Sequence, residues 1–423
     1  MSSAHADSKA GLADNPLYLK VVFALLAAIL IATTARFSGL AIRPEHNKVA
    51  VDFHAFYLAA QLVWRGEIDK AYHAVHMFRL LAETGREGFL PWAYPPQYNL
   101  LMAPLALLPV GAAYVVFMCL TLGAYLAVVR HLAGVYFTTV VLSILPALAV
   151  TAASGQNGFL TGALVGWTCI GLLRARWSAG LPLGLMVIKP HLVVGLALHT
   201  VLTGRWRVVA VAAITVATTG GLATSLLGDA IWTAFLGGLG EARIFLEAGL
   251  YPLYRMFSPY SALRSLGVPA PAALACHALV AIGSLALIGV AVVCRKPLPQ
   301  QLGLAVLASL LVSPYAYDYD LPILGIGLAL LLPDLLAAAN RREQAAVLGL
   351  GFFTSALGVA HNAVLEMRFG ANATPADALP ASLGGFTMML LLLLTWRILG
   401  RSEQPCEPRS SECPDLKAMS RTA

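Results

Sequence analysis

The sequence predicts an all-α polytopic membrane protein of about 10–12 transmembrane segments, with one re-entrant hairpin and amphipathic helices in its external loops. Three observations carry that expectation. Of 423 residues, 59% are apolar and only 12% charged, whereas a soluble domain carries about a quarter charged residues. The apolar runs are long and continuous rather than alternating, and in lipid a helix satisfies its own backbone. Lys and Arg fall in ones and twos at the ends of these runs. The net charge of +7 therefore reads as topology-setting positive charge. A nucleic-acid surface would need a dense basic patch, so no nucleic-acid partner is expected.

Each element follows in order. Residues 18–38 form an uncleaved first span behind a cytoplasmic segment, 1–17, because no signal-peptidase site follows the apolar run. Further apolar runs lie at 98–130, 135–152, 159–173, 178–203, 207–227, 270–294, 301–317, 321–338, 344–360 and 380–397. Basic residues close several of them: Arg130, Arg174 and Arg176, Arg205 and Arg207, Arg295 and Lys296, Arg341 and Arg342, Arg397 and Arg401. A single topology puts all of these on the cytoplasmic side. The run 98–130 then reads as a short surface helix followed by a full span. Residues 178–203 carry arginines at both ends, so a hairpin broken at Lys189-Pro190 keeps both pairs inside. Each arm of about 12 residues reaches roughly 18 Å, past the middle of a ~30 Å hydrocarbon core. A kinked single span is the alternative. The polar tail 401–423, with Pro and Ser, reads as disordered and cytoplasmic.

This topology leaves 39–97, 153–158, 228–269, 318–320 and 361–379 outside. In the first of these, Phe56, Ala59, Ala60, Val63 and Trp64 share one helical face. The unusual polar residues collect on the same side: Asp52 and His54 in VDFHAFY, then WAYPPQYN, SGQNG, YRMFSPYSALRSLG and SPYAYDYD, with His361 and Asn362. Lys189 and His191 approach from below, at the hairpin tip. Trp64, Trp92 and Tyr260 read as membrane-interface anchors, with stacking on a sugar or prenyl chain as the other role open to them. Cys119, Cys169, Cys276 and Cys294 lie in apolar runs, and Cys406 and Cys413 match no zinc spacing. No disulfide, metal or cofactor is expected.

The motifs DFxxFYxAAxxxxxGE, YPPxxxLxxxPLALLP, GQN, KPH and SPYAYDYD occur in this order. As an ordered set they resemble glycosyltransferase family 87 of the GT-C superfamily, over roughly residues 18–400. The resemblance implies a GT-C-type bundle in a bacterial inner membrane, with its active site on the extracytoplasmic face. It implies a polyprenyl-phosphate sugar as donor, mannose first among sugars, a lipid-linked or glycan acceptor, and inversion at the anomeric carbon. The family's catalytic aspartate lies just after the first span, where Asp52 stands. An inverting transfer needs one carboxylate to take the acceptor's proton; a helix N-cap is the structural alternative for Asp52.

The remaining candidates follow from charge and hydrogen-bonding capacity. Lys189, His191, Arg255 and Arg264 are candidates for the donor phosphate. Pairing of Lys189 with an aspartate, and interfacial anchoring of the arginines, are the competing roles. His54, Gln156, Asn157, Tyr317, Asp318 and Asp320 are candidates for sugar or acceptor contacts. The tyrosines around Asp318 and Asp320 would also suit an aromatic belt at a hairpin turn. In the actinobacterial branch the corresponding segment resembles Ser-Pro-x-Ser-Trp followed by two histidines; Tyr319 and Asp320 stand there instead. The literal D-x-D is a weak metal signal, because the donor has no diphosphate to chelate. A lipid or glycolipid transporter is the main alternative, and a polymerase or ligase of polyprenyl-diphosphate glycans a further one. Transporters spread charge along a path between the two sides, whereas here it concentrates on one.

Overall fold

The computed structural model describes residues 16–37, 50–86, 88–369 and 381–401, and among them forms helices without a named strand. Five helical stretches are long and apolar enough to cross a membrane: Pro16–Phe37, Val110–Ser143, Trp206–Leu227, Ala270–Val293 and Arg341–Leu365. Five shorter apolar stretches, Leu145–Ser154, Gly158–Leu173, Trp177–Ile188, Leu298–Leu310 and Pro322–Ala338, pack among them. The chain is thus an all-α polytopic membrane protein. The shorter stretches Gly158–Leu173, Leu298–Leu310 and Pro322–Ala338 form the centre. Leu302 to Leu310 and Ile323 to Leu332 are almost wholly buried, whereas Trp206–Leu227 and Ala270–Val293 expose most of their apolar surface, as lipid-facing helices must. The expected tail beyond Arg401 and the loop 38–49 lie outside the described residues.

The run 178–203 is broken where Pro190 removes a backbone donor. Helix Gly180–Leu185 passes through the 3-10 turns Met186–Ile188 and Pro190–Leu192 into helix Val194–Leu202. Lys189 between the turns is extended, with φ −147° and ψ 69°. Both feet of this excursion meet the same neighbours. Arg205 Nη1 donates to the Leu172 carbonyl at 2.6 Å. A Cβ on Gly180 would stand 2.4 Å from the Val208 carbonyl oxygen. Residues 172–180 and 205–208 therefore sit side by side, as a re-entrant hairpin requires and a kinked span forbids. Exposed Trp177 and Trp206 flank the feet, where an amphipathic ring suits the membrane edge.

Other predicted basic ends gather on that face. Arg174 meets His131 at 2.8 Å, and these two line one cavity with Pro299. Gln300, Asp334 and Arg401 line the next cavity, and Arg401 pairs with Glu343. At the other end the helices stop short. Leu298–Leu310 has 13 residues, so it rises about 20 Å in a core of about 30 Å. The expected span 301–317 ends at Leu310 because Pro314 disfavours helical geometry in the residue before it. Ser313 Oγ instead accepts from the Tyr315 N–H at 3.1 Å. The SPYAYDYD segment therefore continues as irregular chain into the 3-10 turn Asp318–Asp320, buried against the neighbouring helices.

The amphipathic helix Asp52–Arg65 buries Phe56, Ala59 and Ala60 and leaves Trp64 exposed, with its Nε1 donating to Ala103 O at 2.7 Å. The anchoring role expected for Trp92 and Tyr260 does not hold. The two residues are 2% and 1% exposed, because the loop that carries Trp92 and the short helix Pro259–Ser265 that carries Tyr260 pack inward against the bundle.

The hairpin can be tested by labelling. In a cysteine-free background, Ser178→Cys and Thr203→Cys should react with an impermeant maleimide from the same side of the membrane. Reaction from opposite sides would restore the kinked single span.

Candidate active site

The site is assembled by one short contact between distant loops. Met256 and Tyr317 form an isolated antiparallel bridge, and the Phe257 N–H donates to Ala316 O at 3.0 Å. This places Arg255 against Asp318. Its Nε and Nη2 donate to the two carboxylate oxygens at 3.1 and 3.0 Å, a bidentate fork of the strong kind. Lys189, at the hairpin tip, donates to Asp320 Oδ1 at 2.7 Å. The Tyr317 N–H reaches the other Asp320 oxygen at 3.2 Å. Both carboxylates are 2% exposed. A buried charge costs several kcal/mol unless paired and hydrogen-bonded, and each is both. Tyr319 lies among the two pairs: Lys189 Nζ is 4.9 Å and Arg255 Cζ 5.6 Å from its ring centroid. Its other neighbour is Tyr317, nearly parallel at 5.1 Å.

Packing around the turn leaves no slack. A Cβ on Gly158 would meet the Tyr319 carbonyl oxygen at 1.9 Å, and one on Gly358 would meet Asp318 Oδ2 at 2.3 Å. Thr151 Oγ1 donates to that Tyr319 carbonyl at 3.2 Å. None of these three was singled out in the sequence. Gly158 was visible within SGQNG; Gly358 sits in an ordinary apolar helix and gave no signal.

Asp52 opens the helix Asp52–Arg65 but does not cap it. Val51 is the cap residue, and its N–H donates to His54 Nδ1 at 2.9 Å. His54 Nδ1 also lies 3.1 Å from the Val51 carbonyl oxygen. The carboxylate of Asp52 is left half-buried, without an ion pair among the described residues. Burial raises its pKa above the ordinary carboxylate range, against the pull of Arg255, Gln156 and Lys189 and with the help of Asp318.

Gln156 Oε1 accepts from Tyr94 Oη and from the Asn157 N–H, both at 3.0 Å. Asn157 is fully buried, and neither amide atom makes a well-formed hydrogen bond. His191 feels the charges of Asp320 and Lys189. The structure thus gathers Asp52, Gln156, Asn157, Lys189, His191, Arg255, Tyr317, Asp318 and Asp320, with Tyr94 and Tyr319. It does not bring in His54 or Arg264. His54 faces Phe37 at 4.7 Å between ring centroids and serves as the helix cap. Arg264 donates to the carbonyls of Val268 and Glu247, both at 3.0 Å, and so ties two chain segments together.

The arrangement is a largely buried polar cluster in which one carboxylate, that of Asp52, has no ion pair among the described residues. The family model for glycosyltransferase family 87 matches residues 92–314, more than half of the chain, and the protein belongs to this family of glycosyltransferases. The matched stretch holds Tyr94, Gln156, Asn157, Lys189, His191 and Arg255, while Asp52, Asp318 and Asp320 lie outside it. No curated protein and no solved structure matches the chain.

Two outcomes test this electrostatic account. Lys189→Met should strand Asp320 and destabilise the fold by about 3–5 kcal/mol, seen as a lower melting temperature. Adding Asp320→Asn should recover most of the loss; equal losses in the single and double variants would refute the pairing. His54 is the second case. Burial and Arg86 push its pKa from 6.5 down to about 3. In that window the unfolded chain takes up a proton that the folded chain does not, so stability is intact above about pH 6.5 and falls with acid, by up to about 1.4 kcal/mol per pH unit. His54→Gln keeps a capping side chain and removes the titration. Its melting temperature should therefore fall less than that of wild type between about pH 7 and pH 5; parallel curves would refute the assignment.

Proposed function

We propose that this glycosyltransferase moves a hexose, mannose first, from a polyprenyl-phosphate sugar to an extracytoplasmic lipid or glycan acceptor with inversion, and that Asp52 is the general base. The observation that carries the reading is the division among the three carboxylates. Asp318 and Asp320 are spent on Arg255 and Lys189, while Asp52 is half-buried, unpaired and raised in pKa. A base works best when its pKa approaches the working pH. Asp52 takes the proton of the acceptor hydroxyl as that oxygen attacks the anomeric carbon. The bond from that carbon to the phosphate oxygen breaks, and the electron pair leaves on the phosphate, which needs no proton.

Arg255 is the best-placed phosphate ligand. Its Nε and Nη2 are engaged, and Nη1 makes no hydrogen bond among the described residues. Lys189 and His191 approach from the hairpin side. Charge balance supports a monophosphate donor. Two cations face three carboxylates in this cluster, so a doubly linked phosphate with one charge is tolerable where a diphosphate would be repelled. Asn157, with its amide unpartnered, is the candidate contact for a sugar hydroxyl. On this reading the prenyl chain lies between helices while its phosphate reaches Arg255.

Labelled polyprenyl-phosphate sugars, mannose first, offered in proteoliposomes test the reading. Asp52→Asn should lose about 10²–10⁴-fold in rate while remaining folded. Wild-type rate should fall on the acid side at a pH above the ordinary carboxylate value of about 4, because the base must be ionised. Full activity in Asp52→Asn would move the base elsewhere. Absence of transfer from every donor, with flipping of lipid, would favour a transporter.

A further inference from the structure

The two cavities on the basic face adjoin. Both lie where helix Leu298–Leu310 begins and helix Pro322–Ala338 ends. Pro299 and Pro333 line the first, and the next residues along, Gln300 and Asp334, line the second. The helices run antiparallel here. Gln300 Nε2 donates to Asp334 Oδ2 at 2.8 Å, and a Cβ on Gly303 would meet the Leu331 side chain at 2.4 Å. The cavities hold about 230 and 280 Å³. Each falls below the roughly 300 Å³ at which pockets for drug-sized ligands begin, so each suits a single functional group.

The two differ in charge. In the first, Arg174 Nη2 meets His131 Nε2 at 2.8 Å. A guanidinium only donates, so His131 accepts, is neutral, and carries its ring proton on Nδ1. No carboxylate lines this cavity, and Arg174 has no ion pair among the described residues. Its charge is uncompensated. Leu132, Ile170 and Leu173 add a half-buried apolar wall. Trp177, three residues past Arg174, is exposed, which suits headgroup depth.

In the second cavity the sign reverses. Arg401 stands there, but both its Nη groups donate to Glu343, so its charge is matched. Asp334 is not matched. Its partner is the neutral Gln300 amide, and it has no ion pair among the described residues. Gln300 is 4% exposed, and its Oε1 finds no partner. This cavity is therefore rich in acceptors and short of donors. An ionisable side chain in a membrane helix is costly and marks function.

We propose that the paired cavities bind the headgroup of a phospholipid that carries a primary ammonium, phosphatidylethanolamine, with its phosphate on Arg174 and His131 and its ammonium on Asp334. The phosphate accepts from the guanidinium and from His131 Nδ1–H. The ammonium offers three donors to the acceptor-rich chamber. Adjoining cavities of opposite sign match a zwitterion whose charges are joined by a short link, and the apolar wall takes the glycerol and upper acyl carbons. Phosphatidylglycerol would satisfy Arg174 and leave Asp334 bare. A choline headgroup brings charge to Asp334 without an N–H donor.

The test is native mass spectrometry of the full chain in detergent, with phosphatidylethanolamine, phosphatidylglycerol and phosphatidylcholine of identical acyl chains. Wild type should hold phosphatidylethanolamine about tenfold more tightly than either of the others, a difference of about 1.4 kcal/mol. Asp334→Asn keeps an acceptor for Gln300 and should erase that preference. Arg174→Gln should weaken all three lipids alike. The wild-type series needs no variant, and equal retention of the three lipids there overturns the proposal. A preference that survives Asp334→Asn, in protein whose melting temperature shows it folded, also overturns it. Displacement of the lipid by an equal concentration of soluble phosphoethanolamine would make the site one for the free headgroup and refute the lipid assignment.

Discussion

The structure depends on neutralising two carboxylates that the chain places deep in an apolar bundle. Asp320 takes its cation from Lys189, 131 residues away, and Asp318 from Arg255, 63 residues away. Neither pair is local, so neither forms until the hairpin, the bridge at Met256 and the turn at 318–320 have come together. The cost of an unpaired buried charge makes this docking close to all-or-none. The arrangement of the cluster and the tertiary structure are therefore specified by the same contacts. The three elements that hold the cluster together are also those that line it.

The hairpin is the clearest case of fold serving site. A full span would carry Lys189 past the bilayer centre without stopping. A broken segment with its two feet side by side delivers an ammonium group to the buried aspartate turn and then withdraws. Pro190 makes the break, the short helix Leu298–Leu310 lowers the aspartate turn to meet it, and Gly158 and Gly358 let the neighbouring helices close on that turn.

Much of this was legible in the sequence, because membrane topology follows from hydropathy and positive charge, both of which are local properties. The hairpin could be read from arginines at both ends of one apolar run. The convergence of Asp52, Gln156, Lys189, Arg255, Asp318 and Asp320 could be read from their common side. What could not be read was partnership. Asp318 and Asp320 are two residues apart and identical in type, yet each faces a different cation. His54 and Arg264 have the chemistry of ligands but spend it on backbone groups. Trp92 and Tyr260 have the composition of interface anchors but are buried, since an aromatic residue in a loop or a short helix can turn toward either side. Gly358 needed the position of Asp318 to acquire meaning.

The same distinction separates the base from its neighbours. Three carboxylates share the cluster, and composition treats them alike. A carboxylate clamped by a bidentate arginine has its lone pairs occupied, and any proton it accepted would break the clamp. Asp318 is in that state, and Asp320 is held almost as fully by Lys189 and a backbone N–H. Asp52 is excused from capping its own helix because the N–H of the cap residue Val51 is taken by His54 Nδ1 within the same first turn. Its charged neighbours act at longer range. A group that can gain and lose a proton without dismantling the fold is what proton transfer demands, and in this cluster that freedom falls to the carboxylate at the head of the amphipathic helix.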